Sequence, residues 1–296
     1  MTNDGWLSKR RALWLMTAVL LTAALLRLPA LEQFPPGLHY DGAANVTLAG
    51  DIGWRGERPI FISSYTGKEV LFFYLAGGLV RLLGESVFTL RLTSAFVGLL
   101  TVAVTYALGR EITRHSRLVP LLAAGLLATS FWHLLFSRLG FRVITQPLMQ
   151  AITLWLLLRG VRVWLDGQRP WRIFAAAGLA LGLAGHTYLA VRLFPLLILL
   201  AAVPLLPRWR ELWRPLALTL AMALLILAPL LYYFATHPEA FWVRIGQVGG
   251  DGLTLGESIW RSLLMFGWRG DPYMRFNLPD MPLFNPLWAV LGVGGC

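Results

Sequence analysis

The chain has 296 residues, of which 57% are hydrophobic and only 14% carry a charge. A soluble globular domain carries about 25% charged residues, so this composition excludes an ordinary soluble domain and indicates a membrane protein. The net charge of +11 is explained by basic loops on one side of a membrane, and we infer no nucleic-acid partner from it. The single cysteine, Cys296, excludes an intrachain disulfide and a cysteine-based metal cluster.

Long apolar runs predict an all-α, polytopic transmembrane fold with about seven complete spans. An eighth run begins at Pro286 and stops short of the roughly 20 residues that cross a bilayer, so we expect a sequence truncated at its C-terminus. Residues 1–296 are interpreted as a single transmembrane domain. The predicted spans are residues 12–28, 93–109, 118–136, 143–158, 173–191, 193–206 and 215–234.

The positions of Lys and Arg orient these spans. Half of the 26 Lys and Arg residues lie in the N-terminal segment and three short basic loops, and short basic loops face the cytoplasm. All four face the same side only if the apolar run at 70–83 does not cross, because a crossing would turn every later basic loop outward. That run is too short for a typical span and contains Arg81, so we predict an interfacial helix on the outer surface.

Two long segments are then predicted to lie outside, a first outer loop at about 29–92 and a second at about 235–285. Long loops in compact proteins are commonly functional. We therefore expect a multi-pass protein of the plasma or inner membrane, with a cytoplasmic N-terminus and an active site on the outer face.

Candidate catalytic chemistry begins in the first outer loop. Pro and Gly residues at 35–37 turn the chain, and Asp41 then opens an amphipathic helix. Asp is a favoured N-cap residue, so a purely structural role is the simple alternative. Lys68 and Glu69 stand at the start of the interfacial helix, where such a pair can equally be a solvated helix end.

Three arginines lie on the side of the membrane where short-loop arginines are disfavoured. They are Arg138 and Arg142 in one short outer turn and Arg192 in the next. Each could simply reach lipid head groups, but a planar guanidinium near the membrane also matches phosphate. Because the three arginines are expected at the same membrane depth as Asp41 and Lys68, we predict a site there for an anionic ligand such as a lipid-linked phosphate.

Several segments resemble the membrane glycosyltransferases of the GT-C superfamily, most closely glycosyltransferase family 39. This is the protein O-mannosyltransferase and aminoarabinose-transferase group, and the whole chain resembles its N-terminal part. The resemblance rests on the order and spacing of individually loose motifs. They are LHYDGAAN, RPIFISSYTGKEVLFFYL, RLTSAFVGLL, FSRLGFRVITQPL, HTYLAVRLFP, HPEAFWVRIGQV and GDPYMRFNLPDMPLFNP.

The resemblance implies an enzyme that moves a sugar from a polyprenyl-phosphate donor to an acceptor on a protein, lipid or glycan. Asp41 matches the family's candidate base, while Gly42 replaces the Glu that commonly follows it. The implied donor-phosphate contacts are Lys68, Arg138, Arg142 and Arg192. The further candidate substrate contacts are Glu69, Tyr65, His186 and Tyr188, of which the tyrosines could equally be interface anchors.

One base and one cationic leaving-group site predict a single displacement with inversion. The two-carboxylate pair of a hydrolase is then unnecessary. Some relatives bind a divalent ion near the acidic motif, so a metal is possible. Only Asp41, Glu69 and His39 are candidate ligands, and their spacing is not that of a tight site, so we assign no metal ligands and no certain cofactor.

Two alternatives stay open at this level. An anion or lipid transporter would carry ionisable groups near mid-membrane, and the predicted spans hold few polar residues, among them His133, Gln146 and Gln150, with no acidic residue at mid-span. An inactive, truncated relative is the other alternative, because Gly42 replaces the second carboxylate.

Overall fold

The computed structural model describes residues 7–65, 67–242, 254–270, 272 and 278–284. Within these ranges the regular structure is helical, and the one pairing of extended chain is an isolated antiparallel bridge between Ile62 and Lys68. The chain divides into two compact units, Met1–His237 and Pro238–Cys296, where the sequence predicts a single domain. The predicted eighth run after Pro286 lies outside the described residues.

The first unit is a bundle of ten α-helices in the described residues, with three short 3₁₀ segments between them. The helices are α1 (Lys9–Arg27), α2 (Tyr40–Gly53), α3 (Leu71–Leu83), α4 (Val87–Ile112), α5 (Leu118–Thr129), α6 (Phe131–Leu139), α7 (Thr145–Leu165), α8 (Trp171–Ala184), α9 (Phe194–Ala202) and α10 (Trp209–Thr236). The 3₁₀ segments are Arg142–Ile144, Leu189–Leu193 and Val203–Arg208. In the second unit, α11 (Leu255–Leu264) begins with a capping box between Thr254 and Glu257, which satisfies the first backbone amides of the helix.

Length and composition identify three stretches of the described chain that could cross a membrane, or four if a bent pair counts as one span. The three are Val87–Ile112, Arg142–Leu165 and Leu189–Thr236, and the bent pair is α5 with α6, at 55°. The helices α3 and α8 are apolar but shorter, at 13 and 14 residues. These helices agree with a membrane protein, and α3 is a short helix as the sequence predicts.

The predicted spans 193–206 and 215–234 fall in one apolar helical stretch, Leu189–Thr236, of 48 residues. The 3₁₀ segment Val203–Arg208, which contains Pro204 and Pro207, separates its helices α9 and α10. The predicted span 118–136 is broken at Ser130, whose ψ of 123° lies outside the helical region.

A fully buried arginine holds this break. The side chain of Arg27 is 0% exposed, and its guanidinium donates to the Ala128 carbonyl at 2.8 Å, to His133 Nδ1 at 3.0 Å and to Ser137 Oγ at 3.3 Å. Carbonyls at the end of a helix lack partners and carry partial negative charge. Arg27 therefore caps the end of α5 and ties it to α6, which leads directly to the turn at 140–142.

The helices α2 and α3 pack closely against each other. A Cβ atom on Gly77 would lie 2.9 Å from Ile52 Cγ2, and one on Gly53 would lie 2.7 Å from the Gly77 carbonyl oxygen, so glycine permits the approach of α2 to α3. Phe72 and Phe73 at the start of α3 are 0% exposed. The apolar face of α3 is thus buried in the protein core, which fixes the segment just before it.

Candidate functional site

The amino end of α2 places Asp41 at the surface of the first unit. His39 is the N-cap residue, and its Nδ1 accepts a hydrogen bond from the Asp41 amide at 3.1 Å. The interpretation of Asp41 as the N-cap is therefore wrong, because His39 satisfies that role. Asp41 lies in the first turn with its carboxylate 3.6 Å from His39 Nδ1 and its side chain 27% exposed.

A buried ammonium lies on the same face of α2. Lys68 is only 2% exposed, and its Nζ donates to Asn45 Oδ1 at 2.8 Å. Asn45 follows Asp41 by four residues, so the two side chains share one helix face about one turn apart. The Asn45 amide in turn donates to the Gly140 carbonyl at 3.1 Å. The sequence reasoning missed Asn45, although this four-residue spacing was the signal that could have found it.

A short hairpin presents Lys68 to α2. The backbones of Ile62 and Lys68 exchange hydrogen bonds of 3.0 and 2.8 Å, and Gly67 adopts a positive φ of 84° between them. Tyr65, at the tip of the hairpin, has its ring centroid 5.3 Å from Lys68 Nζ. The rings of Tyr65 and Tyr40 meet edge to face at 6.2 Å, so the aromatic surface beside the ammonium extends to the residue that precedes Asp41.

Glu69 points to a different partner. Its carboxylate lies 3.4 Å from Arg142 Nε, and both side chains are less than 10% exposed. The guanidinium of Arg142 also lies 5.3 Å from the ring centroid of Tyr188, a cation–π distance. Leu71, two residues after Glu69, donates its amide to the His186 carbonyl at 3.0 Å. The structure thus gathers Glu69, Arg142, His186 and Tyr188 in one region.

His186 is held as a neutral side chain in this region. Its Nε2 lies 3.2 Å from the Ile226 carbonyl of α10, so Nε2 carries the proton and donates it. Burial lowers the pKa of His186, and this outweighs the opposing influence of the Ile226 carbonyl and of the Glu69 charge. The side chain is therefore neutral at pH 7.

The remaining two predicted phosphate ligands have other contacts. The Arg138 guanidinium donates to five backbone carbonyls at 2.7 to 3.3 Å, those of Leu26, Arg27, Pro29, Ala30 and Phe34. Arg192 lies 5.3 Å from the ring centroid of Phe234, and that ring packs against Phe61 at 5.2 Å. Arg138 therefore orders the chain after α1, and Arg192 lies on an aromatic cluster beside the hairpin.

A second arginine, which the sequence reasoning missed, reinforces the segment between α1 and α2. Arg91 is 2% exposed and donates to the carbonyls of Leu31 at 2.7 Å and Gly37 at 2.8 Å. Its position in the RLTSAFVGLL motif was visible in the sequence, but its backbone partners were not. Arg91 and Arg138 together fix the segment that leads into Asp41.

The possible metal ligands do not form one set. Glu69 faces Arg142, whereas His39 and Asp41 lie together at the start of α2. Across the residues that the structure describes, no group of three or more His, Cys, Asp and Glu side chains could hold a metal ion. Glu69, His39 and Asp41 therefore do not form a metal centre.

Solved structures of two kinds of membrane enzyme share this fold. The oligosaccharyltransferase AglB from Archaeoglobus fulgidus, in complex with an inhibitory peptide and a dolichol-phosphate, matches with a TM-score of 0.62 and 19% identity over 88% of this chain and 37% of its own. The apo form of the Archaeoglobus fulgidus oligosaccharyltransferase matches with a TM-score of 0.63 and 20% identity, over 98% of this chain and 37% of its own. ArnT from Cupriavidus metallidurans, bound to undecaprenyl phosphate, matches with a TM-score of 0.54 and 18% identity, over 83% of this chain and 44% of its own.

At 18–20% identity these likenesses show a shared fold. The chain spans less than half the length of each of these enzymes. The family model of dolichyl-phosphate-mannose-protein mannosyltransferase matches residues 68–233, more than half of the chain. The chain belongs to this family, as the sequence motifs predict. No curated protein sequence matches the chain.

The lowered pKa of His186 predicts a pH-dependent stability. An unfolded His titrates near pH 6.5, and the folded state binds fewer protons than the unfolded state below that value. The free energy of unfolding should therefore fall as the pH drops below about 6.5. We expect the apparent melting temperature in detergent to drop less between pH 7.5 and pH 5 for His186→Gln than for the native chain. Equal drops for the two proteins would contradict a neutral, buried His186.

Proposed function

We propose that the chain transfers a sugar from a polyprenyl-phosphate donor to an acceptor hydroxyl, with Asp41 as the base and Lys68 at the donor phosphate. One observation carries the proposal. Asp41 and Asn45 share a face of α2, and Asn45 holds the buried ammonium of Lys68 at 2.8 Å. AglB and ArnT bind a dolichol-phosphate and undecaprenyl phosphate respectively, which supports a lipid phosphate as the donor's carrier. The acceptor would be carried on a protein, a lipid or a glycan.

The proposed reaction is a single displacement. The acceptor oxygen attacks the anomeric carbon, the bond from that carbon to the phosphate oxygen breaks, and the electron pair leaves with the lipid phosphate. Asp41 takes the acceptor proton, because a neutral hydroxyl is a poor nucleophile. Attack opposite the leaving group inverts the anomeric configuration.

Lys68 would stabilise the leaving group. Charge accumulates on the phosphate as the bond breaks, and a cation already fixed in place stabilises the transition state more than the ground state. Burial of Lys68 at 2% exposure strengthens this interaction because less water screens it. The Tyr40 and Tyr65 rings beside it would contact the sugar or the first prenyl units.

The proposal departs from the sequence-based site in the role of the arginines. Arg138 donates to five carbonyls, so we assign it to the support of the loop and not to the phosphate. Arg192 lies on the ring of Phe234, so we assign it to the aromatic cluster beside the hairpin and not to the phosphate. Family membership favours sugar transfer over the transporter alternative.

Substitution of the proposed base tests the chemistry. Asp41→Asn keeps the size of the side chain but removes the proton acceptor, so we expect sugar transfer to fall by about 10² to 10⁴-fold. The measurement is transfer of labelled sugar from a synthetic polyprenyl-phosphate sugar to membrane acceptors, with the purified full-length protein. Binding of undecaprenyl phosphate should remain within about twofold, since Asp41 does not hold the phosphate.

The matched variant Lys68→Met should behave in the opposite way. It removes the cation and keeps most of the stem, so lipid-phosphate binding itself should weaken at least tenfold. Native transfer rates in Asp41→Asn would refute the assignment of the base, and native binding in Lys68→Met would refute the phosphate site.

We propose that this site faces the outside of the cell membrane, with the N-terminus in the cytoplasm. Single cysteines at the exposed positions His115 and Ser64, in a chain with Cys296→Ser, test this orientation. A membrane-impermeant maleimide added to intact cells should label position 64 and spare position 115. Labelling of position 115 alone would reverse the orientation.

A further inference from the structure

Two consecutive residues hold opposite ends of one turn. Lys68 reaches Gly140 through Asn45, by hydrogen bonds of 2.8 and 3.1 Å. Glu69 reaches Arg142 directly, at 3.4 Å. These two contacts meet the turn at 140–142 at its first and last residues. The hairpin that carries Lys68 and Glu69 is therefore joined to the turn at two points.

The extended backbone at this point explains the two directions. Lys68 pairs with Ile62 in an antiparallel bridge, and successive side chains of an extended chain point to opposite sides. Lys68 can therefore enter the face of α2 while Glu69 enters the region of Arg142 and Tyr188. A displacement of Glu69 would move the Lys68 backbone with it.

The turn itself has little freedom to adjust. Gly140 has a φ of 76°, a conformation that other residues rarely adopt, and a Cβ atom there would lie 2.7 Å from Leu90 Cδ2. Arg142 is buried between the carboxylate of Glu69 and the ring of Tyr188. Removal of the Glu69 charge would leave a buried guanidinium without its carboxylate, which is strongly unfavourable.

We propose that Glu69 is a positioning residue that acts through Arg142 to fix the ammonium of Lys68, and that neither Glu69 nor Arg142 contacts the donor phosphate. This assignment rests on the proposed function and revises the roles that the resemblance implies for both residues. The negative charge of Glu69 holds Arg142, Arg142 holds the turn, and the Gly140 carbonyl of that turn holds Asn45 against Lys68.

A double-mutant cycle tests the proposal. The variants are Glu69→Gln, Arg142→Gln and the combination of the two, and the probe is undecaprenyl phosphate in detergent micelles, with the dissociation constant as the readout. Residues that act as one unit give losses that do not multiply. We expect each single variant to weaken binding about tenfold, and the double variant to bind no more weakly than either single one. Independent contacts with the phosphate would multiply to a loss of about 100-fold, which would overturn the proposal.

Three controls separate misfolding and failure of the proposed function from failure of this inference. Arg55→Gln removes an arginine from an exposed ion pair of the same loop and should bind as the native chain does. Glu69→Asp keeps the negative charge on a shorter side chain and should recover part of the affinity for undecaprenyl phosphate that Glu69→Gln loses. If Glu69 acted only by filling space, the shorter Asp would recover no affinity. If the native chain does not bind undecaprenyl phosphate, the proposed function fails; if it binds and the losses multiply, only the present inference fails.

Discussion

A cation that leaves water for the interior of an apolar bundle must regain oxygen or nitrogen partners there. The first unit satisfies this constraint with groups from different parts of the chain. Arg27 of α1 contacts the carbonyl end of α5, Lys68 contacts an amide of α2, and Arg142 faces a carboxylate from the hairpin. Because every partner belongs to a separate element, each buried charge fixes one element relative to another.

The same contacts organise the region around Asp41 and Lys68. Arg27 connects α1 to the break between α5 and α6, and α6 ends at the turn that contains Gly140. The turn holds Asn45, and Asn45 holds Lys68 one helical turn from Asp41. Arg91 and Arg138 order the loop that precedes α2. The cations of this region therefore divide into those that build the site and one, Lys68, that we place at the donor phosphate.

The sequence predicted the fold class because apolar runs of this length have few other structures available to them. It also predicted the short helix at 71–83, whose length and charge argue against a span. The break at Ser130 escaped prediction because no proline or glycine marks it, and the tie that holds it comes from Arg27, about 100 residues earlier.

The sequence shows the residue types of the proposed site but not their partners. Lys68 contacts Asn45, one helical turn from Asp41, whereas Arg138 meets backbone carbonyls and Glu69 meets Arg142. These partners depend on tertiary structure, which the motifs do not reveal. They are the reason that we propose a phosphate site centred on Lys68 in place of the four cations that the sequence suggests.

We propose that the donor phosphate binds at Lys68, beside Asn45 on the face of α2 that carries Asp41. A cryo-electron microscopy structure of the native chain in nanodiscs with undecaprenyl phosphate would locate the phosphate. We expect phosphate density in hydrogen-bond contact with Lys68 Nζ, with Asp41 about one sugar ring away. Density at Arg138 or Arg192 with Lys68 still shielded from the lipid would contradict it.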